Sequence, residues 1–312
     1  MMMPRLFAGI KNRTQKQATT LPEEQIQFTM VQLHGHLTPS SSSVASFETV
    51  TILGIGSLLS EKSSRLSFPN LQSFRLGRVH NYRRVFGHCA AIFVERGIGN
   101  LETLELSSIS AEPCQGTEFV CSVFEIPRYS VAQQQQALHA DGISTADAGN
   151  VDIGLFDWHT GEITREFRER EEEFDIRTDV YYEEWTPEPE NCVATENGSV
   201  NGRMGILCCR STDKEYVERW GYERYHKNYI AQGLHTIWGW EETSGLKPCP
   251  LYLRHCLMAA RRMGEECYNS FLDETFLVDR VTSLRQYMSE ADRYEQLANM
   301  IVPPHLAERY GG

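Results

Sequence analysis

Residues 52–60 have the sequence ILGIGSLLS, in which an apolar strand runs directly into two glycines and a serine. The segment Glu61–Arg65 that follows can begin a helix. Glycines allow a tight turn and close approach of a ligand, and the first N–H groups of a helix favour an anionic group such as a carboxylate. The junction therefore predicts an anion-binding loop, although strand-to-helix turns with Gly and Ser also occur for purely structural reasons.

The same loop does not match two well-known phosphate-binding fingerprints. A dinucleotide-binding turn needs a third glycine at position 59, where this chain has Leu59. A P-loop needs Gly-Lys-Ser/Thr at a spacing that is missing here. The loop is thus better suited to a small ligand that carries a carboxylate.

Composition restricts the classes of partner. The chain has 312 residues, 41% of them hydrophobic, and a formal net charge of -12, which argues against binding to nucleic acid or to an anionic membrane. No apolar run is long enough to span a bilayer. Nine scattered cysteines without a CxxC pair suit free thiols in a reducing compartment better than disulfides or a zinc site. His34 and His36 have no evident third metal ligand, so we predict no metal site.

The first 46 residues are expected to form a leader outside the folded domain. Residues 1–21 contain four basic residues and no acidic one, in contrast to the acidic remainder. That contrast is typical of a mitochondrial or plastid transit peptide and equally of a disordered tail. We therefore expect a cytoplasmic protein, with plastid or mitochondrion as the alternative compartments.

Hydrophobic patterns predict strands in the first two thirds of the chain and helices in the last third. The order indicates an α+β domain with a small mixed, β-barrel-like sheet and flanking helices. The expected strands are 47–55, 73–86 (one strand or two), 90–94, 118–126, 176–185 and 205–209, with a possible strand at 28–33. The expected helices are 131–139, 214–237, 252–263 and most of 279–300, and 141–161 is expected to be a loop or insertion.

A run of charged residues, Arg168 to Phe174, is the second candidate site. Such a run is usually a solvated surface. A carboxylate held there against apolar surface would instead have a raised pKa, as a general base working near neutrality requires. Aromatic residues between Tyr216 and Trp240 could wall a pocket or simply form core. Neither Ser57 nor any cysteine can be paired from sequence with a histidine and an acid, so we predict no nucleophile triad.

Five segments in order resemble the γ-glutamylcyclotransferase-like superfamily, which includes avirulence-induced plant proteins and glutathione-specific cyclotransferases. They cover about residues 48–268 and comprise a loop after the first strand, two strands, a glutamate motif and a terminal helix. The segments are Ile55-Gly56-Ser57-Leu58, Arg75 to Gly87, Phe119 to Pro127, Arg170-Glu171-Glu172-Glu173-Phe174, and Pro250 to Ala260 with Gly264.

The resemblance implies a reaction that needs no metal or cofactor. The α-amino group of a γ-glutamyl amine or peptide attacks its own γ-carbonyl and releases 5-oxoproline. It implies Glu171 as the general acid and base, with Glu172 and Glu173 as alternatives if the register shifts, and Glu169 as a more distant one. The loop residues Ile55, Gly56, Ser57 and Leu58 would bind the glutamyl carboxylate or stabilise the oxyanion.

Three departures from the family pattern leave other functions open. Ile55 replaces a tyrosine of the family loop, residues 211–247 look like an insertion, and residues 269–312 form a helical extension. A non-catalytic member of the fold could bind a small anion, or a protein partner through the C-terminal helices. Formation of γ-glutamyl amides, or amine exchange, at the same cavity is a third reading.

Overall fold

Five strands close into a small barrel. The structure, a computed structural model, describes residues 49–127, 165–185, 202–290 and 292–311. The barrel strands are β1 (Thr49–Gly54), β2 (Gln72–Cys89), β3 (Glu105–Pro127), β4 (Asp175–Glu184) and β5 (Arg203–Cys209). Their order is β3-β1-β5-β4-β2, and β2 pairs again with β3, which closes the ring. The predicted α+β class with a barrel-like sheet is therefore confirmed.

The sheet is mixed because one neighbouring pair in the ring is parallel. β1 runs antiparallel to β3, where Gly54 pairs with Ser122, and parallel to β5, where Ile52 pairs with Ile206. The other three junctions of the ring are antiparallel. Two further short strands, β6 (Lys247–Pro248) and β7 (Thr275–Phe276), add parallel to β3 and β2.

Helices surround the barrel, and most of them follow β5. The most buried is α6, which starts with a proline at its first turn, where a missing N–H costs nothing, and packs its apolar face into the main core. The ten helices of the described residues are α1 (Glu61–Arg65), α2 (Ala91–Glu95), α3 (Arg165–Arg170), α4 (Asp213–Trp220), α5 (Tyr222–Asn228), α6 (Pro250–Arg262), α7 (Glu265–Asp273), α8 (Leu284–Met288), α9 (Arg293–Ala298) and α10 (Ala307–Tyr310).

A separate aromatic cluster packs beside the main core. It connects α4, α5 and the segment that follows them to the C-terminal end of β2 and the N-terminal end of β3. Its large members are Tyr216, Tyr225, Tyr229, Trp238 and Trp240. Because these side chains bury large apolar areas and still carry polar groups at their tips, they can hold polar neighbours in fixed positions.

Several local predictions are corrected. Residues 90–94 were predicted as a strand, but α2 occupies them, since five apolar residues do not distinguish a buried helical turn from a strand. The predicted helix 214–237 is broken at Gly221, whose φ of 84° ends α4. Within 279–300 the structure has only α8 and α9. β3 begins at residue 105, well before the predicted 118, and 73–86 is one continuous strand with irregular pairing.

Other predictions agree with the structure or lie beyond it. Helix α1, strands β1, β4 and β5, and helix α6 lie close to where the sequence placed them. The leader with His34 and His36, the strand at 28–33, the helix at 131–139 and the insertion at 141–161 lie outside the described residues. The predicted start of the C-terminal extension, residue 269, falls inside α7. Among described residues, no helix has the length and apolar character to cross a bilayer.

Candidate active site

The loop after β1 has a backbone that only glycine accommodates at one point. Gly56 has a φ of +60° and begins a short 3-10 turn, Gly56–Leu59. A Cβ atom at Gly56 would lie 2.3 Å from the hydroxyl oxygen of Tyr252 and 2.6 Å from Cγ2 of Ile109. The left-handed backbone and the close approach of α6 therefore both require glycine here.

The loop is held in place from two sides. The carbonyl oxygen of Leu58 accepts a hydrogen bond of 2.7 Å from the Ser122 hydroxyl on β3. It accepts a second one of 3.0 Å from the Ser64 hydroxyl on α1. Because both donors sit on regular elements, the residues of the loop are preorganised rather than free to adapt to a ligand.

The three glutamates of the charged run form a turn between α3 and β4, here called the glutamate turn (Glu171, Glu172 and Glu173). The amide of Phe174 donates to the carbonyl of Glu171 at 3.0 Å. The carbonyls of the other two accept indole N–H groups, Glu172 from Trp220 at 3.1 Å and Glu173 from Trp238 at 3.0 Å. The segment predicted as an insertion, 211–247, thus fixes the backbone that presents the carboxylates.

Glu172 is held by three neighbours. Its carboxylate forms an ion pair of 2.5 Å with Arg224. It also accepts hydrogen bonds from the Tyr216 hydroxyl at 2.9 Å and from Asn228 Nδ2 at 3.2 Å. The side chain is only 12% exposed. The side chain of Glu172 is thus held in one position by three partners.

Glu173 has fewer partners for its carboxylate than Glu172. Its Oε1 accepts one hydrogen bond, of 2.8 Å, from the Tyr229 hydroxyl. Burial, aided by the negative charge of Glu172 and opposed by the Tyr229 hydrogen bond, raises the pKa of Glu173 to about 7. This carboxyl group can therefore gain or lose a proton near neutral pH.

Glu171 lines the cavity that the loop also lines. Its side chain is 18% exposed and its Oε1 is 3.3 Å from Nε of Arg170. Burial raises the pKa of Glu171, while Arg170 and Arg309 oppose that rise. Burial, together with the charge of Arg309, lowers the pKa of His255 to about 4, and His255 contacts the Ser63 hydroxyl at 3.0 Å. The charge of Arg309 thus acts on both Glu171 and His255.

One cavity of about 600 Å³ brings the two predicted parts of the site together. Of the predicted residues, Ile55, Ser57 and Leu58 line it, as does the whole glutamate turn, and Glu169 also reaches it. Gly56 lies beneath the Tyr252 hydroxyl and is not among the lining residues, so its contribution is the shape of the loop. The volume is in the range of pockets that bind small molecules.

Sequence reasoning missed several residues of this cavity. Arg224, Asn228 and Tyr252 line it, and so do Arg309 and Tyr310 from the end of the chain. The only sequence signal for this part of the cavity is the run of aromatic residues from 216 to 240, which predicts either a pocket wall or a core. The structure supports the core, since Tyr216 and Tyr229 are fully buried and are not among the residues that line the cavity, although their hydroxyls donate to the glutamates.

The described residues hold no group of three His, Cys, Asp or Glu side chains placed to bind a metal ion. The eight cysteines among them are free thiols. What the cavity offers is proton transfer, since two carboxyl groups of raised pKa face a partly apolar space closed on one side by a rigid loop. Such a pairing of poised carboxyl groups is typical of sites that run acid and base chemistry.

Comparison with known proteins finds similar solved structures but no sequence relatives. No family model matches the chain, and no curated protein sequence matches it. A crystal structure of an uncharacterized protein from Homo sapiens is similar with a TM-score of 0.34 and 10% identity, over 82% of this chain and 90% of that chain. This TM-score, and the similarly low TM-score of the second structure described below, show nothing about what the chain binds or catalyses. A γ-glutamyl cyclotransferase is similar with a TM-score of 0.32 and 10% identity, over 82% of this chain and 90% of that chain.

Proposed function

We propose that this protein is a cofactor-independent γ-glutamylcyclotransferase-like enzyme. It would convert a γ-glutamyl amine, amino acid or peptide into 5-oxoproline and the free amine. The observation that carries the proposal is that Glu171, a carboxyl group of raised pKa, shares one cavity with Ile55, Ser57 and Leu58 of the loop. Two segments more than 100 residues apart in the chain are thereby joined into one site, as the resemblance requires.

The reaction asks the protein for positioning and for the movement of one proton. Glu171 takes a proton from the substrate ammonium, and the freed amine attacks the γ-carbonyl carbon to form a five-membered ring. The bond between that carbon and the leaving nitrogen then breaks as Glu171 returns the proton to this nitrogen, which departs as the free amine. The ring nitrogen, which still carries one extra proton after the attack, releases that proton to water and becomes the neutral lactam N–H of 5-oxoproline. Intramolecular attack supplies proximity, so the loop needs mainly to bind the glutamyl carboxylate and stabilise the developing oxyanion.

Glu171 is the proposed proton carrier because of how the three glutamates are occupied. Glu172 is neutralised by Arg224 and two further donors. Glu173 faces the buried aromatic cluster and is held by Tyr229, so it is the second candidate. Glu171 has one ion pair, with Arg170, and lines the same cavity as the loop. A raised pKa lets it accept a proton from an ammonium and donate one to an amine in the same cycle.

Although Ile55 replaces the tyrosine of the family loop, a tyrosine side chain from another element lines the cavity. Tyr252 on α6 lines the same cavity, and its hydroxyl lies against the backbone of Gly56. We infer that this hydroxyl contacts the substrate beside the loop. Ile55 itself is buried and presents an apolar wall to the cavity.

The test is formation of 5-oxoproline, measured by mass spectrometry, from γ-glutamyl amines, γ-glutamyl amino acids and glutathione. The wild-type protein is expected to form it from at least one compound above a protein-free blank, and Glu171→Gln is expected to abolish it. Glu218→Gln serves as the matched control and should retain turnover, because Glu218 is exposed on α4 and does not line the cavity. Loss in Glu173→Gln with turnover kept in Glu171→Gln would move the proton-transfer role to Glu173.

No product from any compound would overturn the proposal. The fold would then serve binding alone, of a small anion in the cavity or of a protein partner through the C-terminal helices. An amide-forming or exchange activity would be recognised in the same assay by adding a free amine and finding a new γ-glutamyl amide instead of 5-oxoproline.

A further inference from the structure

The end of the chain returns to the cavity and is anchored there. Tyr310, in α10, is buried, and its hydroxyl accepts a hydrogen bond of 3.0 Å from Arg96. Its carbonyl accepts one of 3.5 Å from Arg254 on α6. Leu306, just before α10, is buried in the main core. These contacts hold the last turn in place, and Arg309 within it lines the cavity.

Arg309 differs from the other two arginines that line the cavity. Arg170 is 3.3 Å from Glu171, and Arg224 is 2.5 Å from Glu172. Arg309 makes no hydrogen bond or ion pair with any residue that the structure describes, although its charge acts on Glu171 and His255. A guanidinium beside an otherwise acidic cavity, without a carboxylate of its own, is positioned to take one from a ligand.

We propose that Arg309 binds a carboxylate on the leaving amine of the substrate, and thereby selects γ-glutamyl amino acids and peptides over simple γ-glutamyl amines. The inference rests on the proposed function for the identity of the ligand. In the proposed function the loop binds the glutamyl carboxylate. Arg309, which is unpaired among the described residues, would then bind a second carboxylate. Guanidinium groups match carboxylates in shape and form two parallel hydrogen bonds with them.

The role is specific to this chain's C-terminal segment. α10 lies beyond residue 268, where the resemblance to the γ-glutamylcyclotransferase-like pattern ends. The segment therefore adds a charged residue to a cavity whose loop and glutamates come from the barrel. Removing Arg309 should change which ligands bind and leave the barrel intact, because Arg309 is exposed and its side chain forms no hydrogen bond or ion pair with the described residues.

The test uses two ligands that cannot cyclise, so that binding is read independently of turnover. N-Glutarylalanine has both carboxylates but no α-amino group, and N-glutarylethylamine is the same molecule without the alanine carboxylate. Titration calorimetry with the full chain is expected to show about tenfold tighter binding of N-glutarylalanine. In Arg309→Met this preference should fall to within about twofold, and Arg309→Lys should keep part of it.

Lys62→Met is the charge-matched control, because Lys62 is exposed and does not line the cavity. It should keep the full preference. Equal wild-type affinities for the two ligands would overturn the inference. So would a loss in Arg309→Met that is the same for both, which would place Arg309 on the glutamyl carboxylate, or a failure of both ligands to bind.

Turnover of γ-glutamylalanine, measured separately, distinguishes the two proposals. If no 5-oxoproline forms while the Arg309-dependent preference is present, the enzymatic function fails and the carboxylate site stands. If 5-oxoproline forms and the preference is absent, the function stands and Arg309 has no part in selecting the substrate.

Discussion

The hydroxyl of Tyr229 donates a hydrogen bond of 2.8 Å to Oε1 of Glu173, a carboxyl group whose pKa burial raises to about 7. Tyr229 belongs to the aromatic cluster after β5, whereas Glu173 precedes β4. This contact ties the protonation state of the glutamate turn to the packing of the helices that follow the barrel. A change in the packing of these helices should therefore alter the protonation of the glutamate turn, and a change in that protonation should alter the packing.

Tyr229→Phe should raise the pKa of Glu173 above about 7. The hydrogen bond from Tyr229 favours the charged carboxylate, and without it burial acts unopposed by that donor. Carboxyl ¹³C NMR titration of glutamate-labelled protein would follow the group, assigned by its absence in Glu173→Gln. Tyr222→Phe removes an exposed hydroxyl in the same helical segment and should leave the titration unchanged. An unchanged or lower value in Tyr229→Phe would contradict the prediction.

Glu173 should also make the stability of the protein depend on pH. Its pKa is about 7 in the folded protein against an ordinary glutamate value of 4.5, so the folded state binds more protons between these pH values. The contribution of Glu173 to the free energy of unfolding is therefore fully present below about pH 4.5 and is lost as pH rises through about 7. The loss is on the order of 3 kcal/mol.

The measurement is urea denaturation of wild type and Glu173→Gln at pH 5 and pH 8. Comparing the two proteins is necessary because His88 and His255, with pKa values lowered by burial to about 3 and about 4, act in the opposite direction. The stability of wild type relative to the variant should be higher at pH 5 than at pH 8. A relative stability that rises with pH would refute the assignment.

Trp238→Phe should loosen the glutamate turn. The indole N–H of Trp238 is the donor to the carbonyl of Glu173, and its loss leaves a partly buried carbonyl without that partner. We expect a loss of about 1 to 2 kcal/mol in the free energy of unfolding, with lower turnover. Trp240→Phe is the matched control, since Trp240 is also buried but does not contact the turn through its N–H. Equal effects of both variants would show that only packing matters.

The barrel could be predicted in outline because its strands carry local signals. β4 and β5 are rich in β-branched, aromatic and aliphatic residues, and the glycines after β1 mark where it ends. The first half of β3 was not predicted as a strand, because it contains three buried serines in place of an alternating apolar pattern: Ser107, Ser108 and Ser110. Closure of the barrel through β2 and β3 is a non-local pairing that no window of sequence contains.

The glutamate turn was visible as a charged run, but its burial was not. On composition such a run is a solvated surface, and Arg165 and Glu169 at its start do form an exposed pair. The partners that bury Glu172 and Glu173 lie 40 to 65 residues further along the chain, in a segment that looked like an insertion. Arg309, more than 130 residues away, is brought to the same cavity only by docking of the C-terminus.

Gly56→Ala should disrupt the loop more than backbone strain alone explains. Alanine at a φ of +60° costs about 1 to 2 kcal/mol, and its Cβ would also overlap the Tyr252 hydroxyl at 2.3 Å. Gly97 provides the matched control, because it has a φ of +64° and nothing within 4 Å of an added Cβ. Gly97→Ala should therefore show the strain alone, and Gly56→Ala a clearly larger loss of stability, measured by thermal denaturation.

The double variant Gly56→Ala/Tyr252→Phe separates the two causes of the loss. Removing the hydroxyl oxygen relieves the nearer overlap but leaves the one with Ile109 Cγ2 at 2.6 Å, so stability should recover in part. A loss in Gly56→Ala no greater than in Gly97→Ala would mean that α6 moves aside freely. In that case the loop is not held rigidly against Tyr252, and a preorganised site for the developing oxyanion would lose its support.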